Sequence, residues 1–156
     1  MSLKDLLKRI EYEVDNREHS MPTLTKEALC VAPDFFDEEY FKLFDDWNSA
    51  NEYRHSIREM VINACEHGNK FDPSKQVTVK YFVGRKGMLT EVTDEGEGIP
   101  IELSQRIKKG NYYEQFANDH RGRGFHGLNH RLCEGIIDGI EIEGTSIRLL
   151  KMYSKS

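Results

Sequence analysis

The stretch from Gln76 to Thr93 does most to restrict what this chain can fold into. Gln76–Val83 and Met88–Thr93 alternate or run apolar, and Gly84-Arg85-Lys86-Gly87 divides them. Two such runs around a glycine-bearing turn predict an antiparallel hairpin. A second hairpin is predicted near the end of the chain, with Ile136–Ile142 and Thr145–Lys151 turning at Glu143-Gly144. Upstream, Tyr53, Ile57, Met60, Val61 and Ala64 form the packing side of a helix predicted from about Asn51 to His67, with Gly68 as its stop. Helices backing a mostly antiparallel sheet of four or five strands make an α+β, two-layer sandwich.

The remaining segments are less sharply patterned. Residues 1–16 read as an amphipathic helix with Leu3, Leu6, Leu7, Ile10 and Val14 on one stripe, and residues 17–24 as a connector. Ala28–Ala32 reads as a short strand stopped by Pro33. Phe35 to Trp47 reads as helical, with Phe36, Tyr40, Phe44 and Trp47 at core or interface spacing. Pro100 opens a short helical piece to about Ile107, residues 108–123 resemble a lid, and a helix is predicted from Phe125 to about Cys133. This divides the chain into an extension at residues 1–50 and a principal region at 51–156, together sized for one compact domain.

Composition narrows the function classes. Hydrophobic residues make up 38% and charged residues 31%, and no apolar run approaches the roughly 18 residues a membrane span needs. Met1–Ile10 alternates charge with leucine and lacks a signal-peptide core. Cys30, Cys65 and Cys133 form no CxxC pair, which suits reduced thiols and a cytoplasmic location. A net charge of −5 argues against nucleic acid as the main partner. Between Arg106 and Arg131, however, Arg106, Lys108, Lys109, Arg121, Arg123 and Arg131 outnumber Glu114 and Asp119. Such a run either faces an anion or is an ordinary solvated loop.

Three constellations bear chemistry. Glu59 and Asn63, four residues apart on the predicted helix, share a face about 6 Å apart along the axis. A carboxylate and a carboxamide so placed can hold a metal ion and polarise a hydroxyl beside it, or simply form a solvated stripe with Glu66 and Lys70. Asp94-Glu95-Gly96-Glu97-Gly98 follows a predicted strand. An ionised Asp94 can accept from an exocyclic amine, and Gly96 and Gly98 let a flat ring approach; the plainer reading is a tight turn. Arg121-Gly122-Arg123-Gly124-Phe125 opens a predicted helix, whose unpaired N–H groups favour phosphate, with Arg121 and Arg123 adding charge-assisted bonds. The alternative is a flexible linker with a glycine cap.

Several decoys are set aside. Gly122-Arg123-Gly124-Phe125-His126-Gly127 fits G-x-G-x-x-G, but polar Glu114–His120 precedes it instead of a strand, so a dinucleotide fold is rejected. No P-loop pattern occurs. His55 faintly echoes a phosphoacceptor box but shares its helix with Glu59, and reads as a surface histidine. His126, His130 and Cys133 have zinc-ligand spacing but no evident fourth ligand.

Taken in order, these motifs resemble the GHKL ATPase superfamily, built on the Bergerat-type ATP-binding fold. Glu59-x-x-x-Asn63-Ala64-x-x-His67-Gly68, Asp94-x-Gly96-x-Gly98 and Gly122-Arg123-Gly124 look most like its anti-sigma factor serine/threonine kinase branch, over residues 51 to 151. The resemblance implies ATP and Mg2+ as cofactors, with Glu59 as general base and Asn63 as magnesium ligand. It implies Asp94 as adenine acceptor beside Gly96 and Gly98, Gly122 and Gly124 at the phosphates, and Thr145 assisting Asp94 through its hydroxyl. It implies an anti-sigma-antagonist partner, a sigma factor as a further partner, and a homodimer as one assembly state. The alternative is an ATP-binding regulatory module, or a protein like a histidine-kinase catalytic domain, without its own phosphoacceptor. His126 and Gly127 stand where the family has bulky apolar residues, and the chain before Asn51 matches the branch poorly.

Overall fold

The computed structural model describes residues 2–28, 36, 38–98 and 134–153. The described elements are α1 (Leu3–Arg9), β1 (Tyr12–Pro22), a 3-10 turn (Glu38–Leu43), α2 (Trp47–Asn63), a π-helical turn (Ala64–Gly68), β2 (Gln76–Gly84), β3 (Gly87–Thr93), β4 (Gly139–Glu143) and β5 (Ser146–Met152). The strands form one antiparallel sheet in the order β1-β2-β3-β5-β4. Both predicted hairpins and the α+β arrangement of sheet and backing helix are borne out.

The main core lies between α2 and one face of the sheet. Tyr53, Ile57, Met60 and Val61 of α2 are fully buried against Val77, Val79 and Tyr81 of β2, Met88 and Val92 of β3, and Leu149 of β5. Each such aliphatic side chain contributes about 1.5–3 kcal/mol on burial. At the centre, the Tyr53 hydroxyl donates to the Leu149 carbonyl at 2.9 Å and lies 2.9 Å from Thr90 Oγ1, so its one polar atom is satisfied. On the opposite face, α1 places Leu6 and Ile10 over Phe82, Leu89 and Leu150, a smaller second core.

Three expectations are corrected. The N-terminal helix ends at Arg9, not at residue 16, and Glu11 takes a left-handed φ of 52° that turns the chain into β1. Residues 17–24, expected to connect, lie mostly in β1, where Arg17↔Tyr81, His19↔Val79 and Met21↔Val77 pair in register. An edge strand carries charge on its open side, which conceals its pattern in the sequence. Phe35–Trp47 is not one helix: a 3-10 turn spans Glu38–Leu43, and α2 starts afresh at Trp47. Asp46 sets that start by accepting from Ser49 N–H at 2.7 Å, an N-cap that also moves the helix start four residues before Asn51. Phe36, Tyr40 and Phe44 are core, whereas Trp47 is 65% exposed.

Of the strand predicted at Ala28–Ala32, all but Ala28 lies outside the described residues, as do the predicted helices at 100–107 and 125–133 and the segment 108–123. No helix among the described residues is long and apolar enough to cross a membrane.

Candidate functional site

The site is assembled at the C-terminal end of α2. Glu59 is half-buried, and Asn63, one turn on, is 6% exposed and makes no side-chain hydrogen bond to another described residue. The helix then widens into the π turn Ala64–Gly68, a rare geometry frequent at functional sites.

The helical segment ends at Gly68, as the sequence predicts, but through a π turn and not a left-handed glycine: the left-handed residues, Lys70 (51°) and Phe71 (59°), lie beyond it. Gly68 is needed for space: a Cβ on it would lie 2.2 Å from Asp94 Oδ2 and 2.4 Å from Asp94 Cγ. The Asp94 carboxylate therefore rests on the bare Cα of Gly68.

Asp94 is positioned from both sides. Its backbone N–H donates to the Thr145 carbonyl at 3.2 Å, tying the end of β3 to the β4–β5 turn. Its Oδ1 accepts from Gly96 N–H at 2.8 Å, closing a tight loop. Gly96 in turn lies against the π turn, since a Cβ there would stand 2.0 Å from the Gly68 carbonyl oxygen. Gly98, at φ 92°, approaches the carbonyl of Gly144, where a Cβ would be 3.0 Å away. Thus Asp94, Gly96, Gly98 and Thr145 converge with Gly68, which both ends the helical segment and seats the carboxylate. Thr145 meets Asp94 through its carbonyl in this contact. Arg121, Gly122, Arg123 and Gly124 lie outside the described residues.

Two neighbours complete the setting. Cys65 is fully buried, and burial first, with the Asp94 charge adding to it, pushes its thiol above the usual cysteine range against a backbone hydrogen bond at Leu24. It stays protonated at neutral pH and is no nucleophile. Asn69, passed over in the sequence, is 1% exposed and contacts the same loop through its side chain, accepting from Glu95 N–H at 2.8 Å. The available signal was its place directly after the helix-ending glycine, where a polar residue needs partners if buried. Among the described residues no three His, Cys, Asp or Glu side chains cluster as a metal site, and His126, His130 and Cys133, whose zinc-like spacing is set aside above, lie outside them.

A helix ending in a buried carboxamide, set against a carboxylate-and-glycine loop on an antiparallel sheet, is the arrangement of a GHKL-type ATP-binding module. The chain belongs to the histidine kinase-like ATPase domain family, whose model matches residues 41–151. No curated protein matches the chain. Membership implies ATP, generally with magnesium, and ATPase- or kinase-type chemistry at the superfamily level. Asn63 fits the metal part: its amide oxygen is a hard donor in a buried position, and magnesium takes few protein ligands beside waters and phosphates.

Proposed function

We propose that this chain is an ATP- and magnesium-dependent protein kinase of the anti-sigma factor type. Its phosphoacceptor is a Ser or Thr hydroxyl on an anti-sigma-antagonist partner. The observation that supports the nucleotide site is the nesting of Asp94 on Gly68, with Gly96 against the same turn, at the end of the helix that bears Glu59 and Asn63. In this reading Asp94 accepts from the adenine amine, and the glycines leave room for the ring. Thr145 adds its hydroxyl beside Asp94.

Magnesium, held by Asn63 and phosphate oxygens, would neutralise charge on the phosphates. Glu59 accepts the proton of the acceptor hydroxyl as its oxygen bonds to the γ-phosphorus. The bond from that phosphorus to the bridging oxygen breaks, and ADP departs with the electron pair. The chain's own contribution is mainly positioning and electrostatics.

The test is phosphoryl transfer from γ-labelled ATP to the candidate antagonist, with Glu59→Gln and Asp94→Asn compared. Asp94→Asn retains an oxygen for Gly96 N–H but loses the charged acceptor, so ATP affinity is expected to fall at least about tenfold. Glu59→Gln is expected to bind ATP and lose transfer. Unchanged ATP binding by Asp94→Asn would remove the site assignment. Wild-type-like transfer by Glu59→Gln would remove the general base.

A further inference from the structure

Thr23, at the end of β1, and Asn69, after the π turn, form a buried relay that ends on the loop holding Asp94. The hydrogen-bond polarity of this relay is determined throughout. The Glu95 N–H can only donate, so the Asn69 oxygen faces it at 2.8 Å. The Asn69 amide nitrogen must then face the Gln76 carbonyl at 3.0 Å and Thr23 Oγ1 at 2.9 Å, and it donates to both. Thr23 Oγ1, accepting from Asn69, donates its own proton to the Lys75 carbonyl at 2.9 Å. Gln76 N–H returns to the same loop, donating to Glu95 Oε2 at 2.5 Å. Thr23 and Asn69 are 5% and 1% exposed, so water does not readily replace these bonds.

We infer that Thr23 and Asn69 are positioning residues for the nucleotide site, through which the end of β1 sets the register of the Asp94–Gly96 loop. Asn69 bonds to the residue directly after Asp94, and Asp94 Oδ1 bonds to the residue after that. A shift of the Glu95 amide therefore moves the carboxylate proposed to read adenine. Thr23 lies outside the family match at residues 41–151, so this support comes from the chain's own N-terminal part. A partner that moved the end of β1 would thereby change nucleotide affinity.

The inference rests on the adenine role proposed for Asp94, and the experiment separates the two. ATP and GTP affinities are measured by calorimetry for wild type, Thr23→Val, Thr23→Ser and Asn69→Ala, with amide NMR of Glu95 and Gly96. Valine cannot accept from Asn69, whereas serine can. Thr23→Val is expected to weaken ATP binding about tenfold and narrow the preference over GTP, with Thr23→Ser close to wild type. The Glu95 and Gly96 amide signals are expected to shift in Thr23→Val alone of the two Thr23 variants. A Thr23→Val protein that melts lower yet keeps wild-type ATP affinity and preference would overturn the inference, because that is what a purely structural bond predicts. Should Asn69→Ala not fold, the Thr23 pair still decides the matter. If wild type binds no ATP, the nucleotide reading fails first. An unmoved Glu95 amide in Thr23→Val then overturns the relay by itself.

Discussion

The carboxylate of Asp94 occupies the space that a side chain on Gly68 would fill, so two residues from separate sequence motifs form one surface. A Cβ at Gly68 would lie 2.2 Å from Asp94 Oδ2, far inside contact distance, and the obstructing group is itself held by Gly96 N–H. Because the φ of Gly68 is not positive, alanine meets no backbone penalty, and the effect is steric displacement alone. Gly68→Ala is expected to push Asp94 out of place, costing about 1–3 kcal/mol of stability as overpacking does. Calorimetry should show ATP affinity reduced by at least about tenfold. Wild-type affinity in a folded Gly68→Ala protein would show that the carboxylate position does not matter.

The Asp46 cap offers a second check on how the site helix is anchored. Asp46 accepts from Ser49 N–H at 2.7 Å and from Ser49 Oγ at 3.2 Å, at the opposite end of α2 from Asn63. Asp46→Ala is expected to cost about 1 kcal/mol, read as a lower urea midpoint with unchanged m-value. Since the cap is remote from Gly68, ATP affinity of the folded protein should not change. An ATP defect as large as that of Gly68→Ala would mean that α2 moves as a lever.

What was legible in the sequence follows the range of the interactions concerned. The two hairpins and the packing side of α2 depend on turn residues and local periodicity, and Gly84–Gly87 and Tyr53–Val61 declare both. β1 was missed because its identity depends on pairing with β2, some sixty positions away, while charges such as Arg17 and Glu18 mask its alternation. Trp47 fitted the aromatic stripe by spacing, yet the cap at Asp46 restarts the helix and turns the indole outward. At the site, Asp94 and the loop glycines were recognisable by type. The role of Gly68 was not, because its reason is a carboxylate twenty-six positions ahead. Asn69 was invisible for the same cause: its partners Thr23, Gln76 and Glu95 come from three segments.

On the sheet face opposite α2, Arg148 and Glu91 are cross-strand partners joined at 2.7 Å, with side chains only 7% and 13% exposed. The exposed Glu143 lies 3.7 Å from the same guanidinium. Removing one partner from such a pair leaves a buried charge poorly compensated, so Glu91→Ala is expected to cost about 3 kcal/mol. Replacing both, as Glu91→Leu with Arg148→Met, should restore most of that loss, since burial of two ions has its own desolvation penalty. Urea denaturation of the three variants decides it. A Glu91→Ala cost below about 0.5 kcal/mol would class the pair with surface salt bridges.

Two tyrosines give the fold a defined alkaline limit. Burial raises the phenol of Tyr53 well above the usual tyrosine range, its bond with Thr90 opposing only in part. Burial first, then Tyr40, pushes Tyr153 up to about 12, and its hydroxyl has no hydrogen-bond partner among the described residues. Both groups therefore hold their protons longer in the folded chain than in the unfolded one, where the pKa is about 10. Their contribution is fully present below about pH 10 and is lost as pH rises through the folded values, because only the unfolded state gains by deprotonation. The difference in phenolate absorbance between wild type and the Tyr53→Phe, Tyr153→Phe double variant should show these two phenols ionising only together with unfolding. The Tyr53→Phe, Tyr153→Phe double variant should lose stability less steeply above about pH 10, although Tyr53→Phe costs about 1 kcal/mol at neutral pH through its lost hydrogen bonds. Ionisation of these two phenols near pH 10 in a protein that stays folded would contradict their burial.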